Sequence, residues 1–201
     1  MIKIRLDVDY AYPSRWKSFL YTALKRKTKR NYLKNSKIIA KMINKSTVEV
    51  KAYWFFTPFT LPDAEMLELL NSNKHEIALH VAVDAYKELK DLEKTSNTQI
   101  KYYTVHGTES LLGKIIWRRK LSQAKAPIPK DFHLKSFYDF PTLSLDRICY
   151  DTSTKEALKI AYESIEKDEV LLIHPDWLFQ RGKMNHRGAY YEILKEILNV
   201  N

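Results

Sequence analysis

Short apolar runs rich in β-branched and aromatic residues alternate along this chain with longer stretches of helical periodicity, and that alternation leaves few folds open. The runs are residues 2–6, 48–56, 75–79, 101–105 and 170–173. The intervening stretches place apolar side chains three and four apart: Trp16, Leu20 and Leu24 in 14–27, and Ile38, Ile39, Met42 and Ile43 in 31–44. Further helices are expected over 63–70, entered through Pro62, over 81–92 with Val83, Tyr86 and Leu89 on one stripe, and over 110–121. Ser153 and Glu156 have capping-box spacing and open a helix carrying Ala157, Ala161 and Ile165, while 188–198 buries Tyr190, Leu194 and Ile197. Strands interleaved with helices in this way point to an α/β fold built on a parallel sheet. Between Pro127 and Tyr150, residues 134–138 and 143–150 supply two more candidate strands, and about seven strands suggest a parallel barrel or an open parallel sheet.

With 201 residues, 45% of them apolar, and no Gly/Ser/Pro-rich linker, the chain is expected to form one domain over 1–201 around one core. A single cysteine, Cys149, excludes an internal disulfide and a thiolate zinc knuckle, and fits a reducing compartment. The first strand begins at residue 2, leaving no room for a signal peptide, and no run of about 18 apolar residues offers a membrane span. A cytoplasmic protein is expected.

The net charge of +10 is uneven: Lys25, Arg26, Lys27, Lys29, Arg30, Lys34 and Lys37 crowd together. Such a stretch makes a local positive field. It is read either as a solvated helical surface or as a region attracting an anionic substrate or membrane surface. Tyr21 and Tyr32 are the residues available for base stacking, but no nucleic-acid motif accompanies the charge and no nucleic-acid partner is expected.

Several strands end in groups that can bind a cation or carry a proton. Asp7 and Asp9 close the first strand, and a twist there can aim two carboxylates differently. His80 follows the strand 75–79, and Asp84, four residues on, would share its face if a helix began near residue 81. His106 follows 101–105, and His174 follows 170–173 just before Pro175, which turns the chain away. Functional groups in α/β enzymes gather at such carboxyl ends. His75 begins its strand and is assigned a structural role; its spacing to His80 is five, not the four of a helical zinc-protease motif. His133 and His186 lie in irregular or helix-entry segments and are read as structural.

Taken in order, Ile4-Arg5-Leu6-Asp7-Val8-Asp9, His75-Glu76-Ile77-Ala78-Leu79-His80 and Leu171-Leu172-Ile173-His174-Pro175 resemble the motifs of the polysaccharide deacetylase family, metal-dependent carbohydrate esterases on a distorted (β/α) barrel. The resemblance implies Asp7 as base, His174 as general acid, and Asp9, His80 and Asp84 as ligands to one divalent ion, with zinc first and manganese, cobalt or iron also compatible. His106 would be an oxyanion donor, and Trp177 and Tyr12 would stack on sugar faces. The implied reaction is removal of an N-acetyl group from a sugar or glycan precursor, with a carbohydrate, in some form anionic, as substrate. Three departures stand out: Val8 separates the aspartates, Asp84 stands where the family has a second histidine, and Thr104-Val105-His106-Gly107 replaces an Arg-Pro motif. A carboxylate at Asp84 would harden the site toward oxygen-loving ions. The rival class is a non-catalytic carbohydrate- or anion-binding protein on a degenerate deacetylase barrel.

Overall fold

Parallel pairing orders everything else in the fold. The computed structural model describes residues 1–9, 32–106, 128–181 and 186–200. Its elements are β1 (Ile2–Val8), α1 (Lys34–Lys45), β2 (Val50–Phe56), α2 (Ala64–Leu69), β3 (His75–Val81), α3 (Ala85–Ser96), β4 (Tyr102–Val105), β5 (Lys135–Ser136), a 3₁₀ turn (Phe137–Asp139), β6 (Thr142–Ser144), α4 (Leu145–Asp151), α5 (Thr154–Glu166), β7 (Val170–Ile173), a second 3₁₀ turn (Pro175–Trp177) and α6 (Tyr191–Leu198). The seven strands form one sheet in the order β5-β4-β3-β2-β1-β7-β6, every neighbouring pair parallel. The sheet curls into a half-barrel with helices packed against it. The expected helices at 14–27 and 110–121 and most of the basic stretch lie outside the described residues.

Successive side chains of a strand point to opposite faces, so each strand feeds two cores. Ile4, Leu6 and Val8 of β1, Ala52, Trp54 and Phe56 of β2, and Leu171 and Ile173 of β7 pack with Ile39 and Ile43 of α1, Ala157 and Ala161 of α5, and Leu194 and Ile197 of α6. On the other face Phe55, Ala78 and Val170 meet Phe137, with Tyr53, Tyr102 and Phe140 around them. Phe137 comes from the 3₁₀ turn that crosses from β5 to β6, and its ring lies 4.8 Å from Tyr53 and 4.7 Å from Phe140. These rings form an aromatic plug on that face of the sheet. Tyr138 fastens the crossing to β4, its hydroxyl donating to Val105 O at 2.8 Å and accepting from Val105 N at 3.1 Å.

Caps set the helix boundaries. Ser153 Oγ accepts from Glu156 N to begin α5, and Asp63 accepts from Met66 N, so Asp63 caps α2 instead of lying inside it. Two expectations are corrected. Residues 143–150 are not a strand, since only Thr142–Ser144 is extended before the chain enters α4. The pairing partner explains this: β6 runs beside β7 to the register Ser144 with Leu172, and β7 ends one residue later at Ile173. The helix expected over 81–92 begins instead at Ala85, and Val83 and Tyr86 are exposed while Ala85, Leu89 and Leu92 are buried. No helix among the described residues is long and apolar enough to cross a membrane.

His75 sits at the start of β3 and is buried at 7% exposure. Trp54 Nε1 donates to its Nδ1 at 3.0 Å, and its Nε2 faces Asn44 Oδ1 at 3.0 Å, which fixes a neutral ring. Burial, then Lys51 and Lys74, push its pKa from 6.5 down to about 4. A depressed histidine pKa means that the unfolded chain takes up the proton first. Its contribution is therefore fully present above pH 6.5 and is lost as pH falls toward about 4, reaching about 3 kcal/mol. Urea unfolding of wild type and His75→Gln between pH 7 and 4 is expected to show this extra acid loss in wild type only; parallel curves would contradict it.

Candidate metal centre

At the carboxyl ends of β1, β3, β4 and β7 four side chains converge. Asp9 lies one residue past β1, and its amide donates to Asp7 O at 2.9 Å. That tight turn aims the two carboxylates differently. His80 Nε2 is 3.2 Å from Asp9 Oδ1, His106 Nε2 is 3.6 Å from the same oxygen, and His174 Nε2 is 3.7 Å from Asp9 Oδ2. Asp9 Oδ1 is buried and accepts no hydrogen bond among the described residues. A buried carboxylate oxygen without a donor is costly unless a cation occupies its front.

The donor atoms of Asp9, His80 and His106 all lie within 4.8 Å of one another. Two ligands about 2.05 Å from a tetrahedral zinc stand about 3.4 Å apart. The spacings of 3.2 and 3.6 Å from Asp9 Oδ1 bracket that value, so the residues present fit a divalent ion. His80 is further oriented through Nδ1, which lies 2.7 Å from Thr104 Oγ1 on β4, a residue with no exposure. With Nδ1–H donating to that hydroxyl, Nε2 presents its lone pair toward Asp9, the usual outer-shell arrangement of a metal histidine. Thr104→Val keeps the shape and removes the acceptor. Zinc affinity is expected to fall about 10–100-fold in a folded protein, measured by competition with a chromogenic chelator; unchanged affinity would remove Thr104 from the site.

Asp84 is not in this group. It is exposed and caps α3, its side chain accepting from Lys87 N. The expected helical relation between His80 and Asp84 fails because β3 runs on to Val81, which pairs with Val105 and whose carbonyl accepts from His106 N at 2.8 Å. The same bond brings His106 beside His80, their ring centroids 5.2 Å apart. His106 thus takes the third position in the cluster, which holds one carboxylate and two imidazoles and not the harder two-carboxylate set.

Two ion pairs flank the centre. Arg5, two residues before Asp7 on the same face of β1, grips it with both prongs, Nε to Oδ1 at 2.8 Å and Nη2 to Oδ2 at 2.6 Å. The Arg5 guanidinium lies over the Phe55 and Tyr138 rings at 5.2 and 5.5 Å, so the aromatic plug supports it. Burial alone would raise the pKa of Asp7, but Arg5 and the nearby His80 hold it below the usual carboxylate range. Asp9 is lowered likewise: His106, His80 and His174 outweigh its burial. On the other side His174 Nδ1 meets Asp146 Oδ2 at 2.7 Å. Asp146 has no exposure and is also bound by the His174 amide at 3.2 Å, Ser144 Oγ at 2.8 Å and Arg187 Nη1 at 3.4 Å. Burial disfavours the His174 imidazolium, yet Asp146, Asp9 and Asp7 raise its pKa to about 9. Asp7 and His174 thus both stand near Asp9, the first with its pKa held low and the second with its pKa raised.

Trp177 is half-buried and packs on the outer core, and Tyr12 lies outside the described residues. Lys37 is bound to Asp63 at 2.7 Å and Glu65 at 2.6 Å, which makes it structural. Arg5, Thr104, Asp146 and Arg187 were not singled out in the sequence. Arg5 carried a signal, a charge inside an apolar strand two residues from Asp7; Asp146 was hidden in a segment read as a strand. No protein-family model matches the chain, and no curated protein or solved structure matches it.

Proposed function

We propose that this protein is a metal-dependent hydrolase that removes an N-acetyl group from a sugar or glycan precursor. The observation that carries the reading is the buried Asp9 Oδ1, with no hydrogen-bond partner among the described residues, facing two imidazole nitrogens at ligand spacing, with His174 3.7 Å from its other oxygen. Asp9, His80 and His106 would hold the ion; two nitrogens and one carboxylate are a zinc hydrolase donor set and also accept manganese, cobalt or iron. Such an ion polarises a bound carbonyl and lowers the pKa of water.

The chain's own residues account for the protons. Asp7 keeps one lone pair on each oxygen beyond those used by Arg5, and takes a proton from the attacking water. Arg5 fixes the direction of that carboxylate. His174, held by Asp146, delivers its Nε2 proton to the departing amine nitrogen as the C–N bond breaks, leaving acetate and a free amine. A proton returned from Asp7 to His174 through solvent resets the pair. The sugar as substrate rests on the three ordered segments that resemble the deacetylase motifs.

Incubating zinc-loaded protein with N-acetylated chitooligosaccharides and measuring acetate and free amine tests the reading. Equimolar acetate and amine are expected, abolished by chelation and in Asp9→Ala. Metal-loaded protein that binds such sugars and releases no acetate would favour the non-catalytic binding protein instead.

A further inference from the structure

Glu88 is a carboxylate buried in α3 at 4% exposure, and the chemistry above does not use it. Its oxygens accept three successive backbone amides: Ala82 N on Oε2 at 2.7 Å, and Val83 N and Asp84 N on Oε1 at 2.7 and 3.0 Å. These amides belong to the turn that leaves β3 directly after His80 and Val81. One residue before Ala82, the Val81 carbonyl accepts from His106 N at 2.8 Å, the backbone bond that sets His106 beside His80. A single side chain therefore clamps the segment through which both histidines are aligned on Asp9.

We propose that Glu88 is a positioning residue for the metal centre, holding the β3–α3 turn so that His80 and His106 meet at Asp9. The proposal rests on the reading of Asp9, His80 and His106 as metal ligands. Three amides pulled together after a strand would otherwise turn to water or start the helix early, and either change carries the Val81 carbonyl away from His106. The carboxylate has acceptors for all three amides, whereas an amide side chain has one oxygen and must turn an NH₂ group toward at least one backbone N–H. Outer-shell partners of this kind change metal affinity about 10–100-fold.

The test is zinc affinity, by competition with a chromogenic chelator, for wild type, Glu88→Gln and a control, Ala161→Gly, which loosens α5 at a buried position outside the metal cluster. Glu88→Gln is expected to bind zinc about 10–100-fold more weakly, with the control close to wild type. Should Glu88→Gln not yield folded protein, Glu88→Asp, which keeps the charge and withdraws the carboxylate by one methylene, is measured instead with the same expectation. Wild-type-like affinity in the Glu88 variant, or an equal loss in the control, overturns the positioning role and leaves the metal centre standing. Zinc failing to bind wild type overturns the metal centre and the positioning role together.

Discussion

His174→Gln is expected to lower kcat for the proposed deacetylation by about 10²–10⁴-fold while the folded protein keeps its full zinc content. Glutamine retains a donor toward Asp146 but carries no transferable proton. His174 is not among the three clustered donors, and its Nε2 stands 3.7 Å from the far oxygen of Asp9, so its loss should spare the metal. Replacing an imidazolium donor to Asp146 by a neutral amide, while the backbone amide of residue 174, Ser144 and Arg187 stay in place, costs about 1 kcal/mol of stability. Steady-state kinetics with metal analysis on the same preparation checks it. Turnover near wild type would remove His174 from the chemistry.

Gly188→Ala is expected to destabilise the fold by about 3 kcal/mol or more, and to weaken the proposed catalysis in whatever fraction still folds. A Cβ at Gly188 would stand 2.1 Å from Cys149 O and 2.5 Å from Tyr150 N. Both are backbone atoms of α4 and cannot swing aside as a flexible side chain would. Gly188 N also donates to Asp146 O at 2.6 Å, and its neighbour Arg187 reaches Asp146 Oδ1 and Ser144 Oγ. Displacing this segment would therefore strip the Asp146 carboxylate of a cationic partner as well as strain the backbone. Thermal unfolding measures the first effect; a melting temperature within a degree or two of wild type would contradict it.

The α/β class and the parallel sheet were legible because β1, β2, β3, β4 and β7 are apolar runs between helical stretches, and their ends pointed to Asp9, His80, His106 and His174 as neighbours. Val170–Ile173 has the bounds expected from its four apolar residues. What the sequence hid depends on partners distant in the chain. Whether β3 stopped at Leu79 or ran to Val81 was decided by Val105 and by Glu88, and that choice put His106 and not Asp84 in the third position of the cluster. Residues 143–150 hold enough apolar side chains for a strand, but β7 is too short to pair with all of them, and the resulting helix is what brings Asp146 to His174. Arg5 was visible as a charge in β1, yet its role needed the rings of Phe55 and Tyr138 around it.

Asp9, His80 and His106 are proposed to share one divalent ion. Zinc titration followed by metal analysis of wild type, His106→Ala and Asp84→Ala tests it most directly. One equivalent is expected in wild type and in Asp84→Ala, which loses only a helix cap worth about 1 kcal/mol, and His106→Ala should retain little or none after dialysis. Full zinc content in His106→Ala with loss in Asp84→Ala, or no zinc in well-folded wild type, would contradict the account.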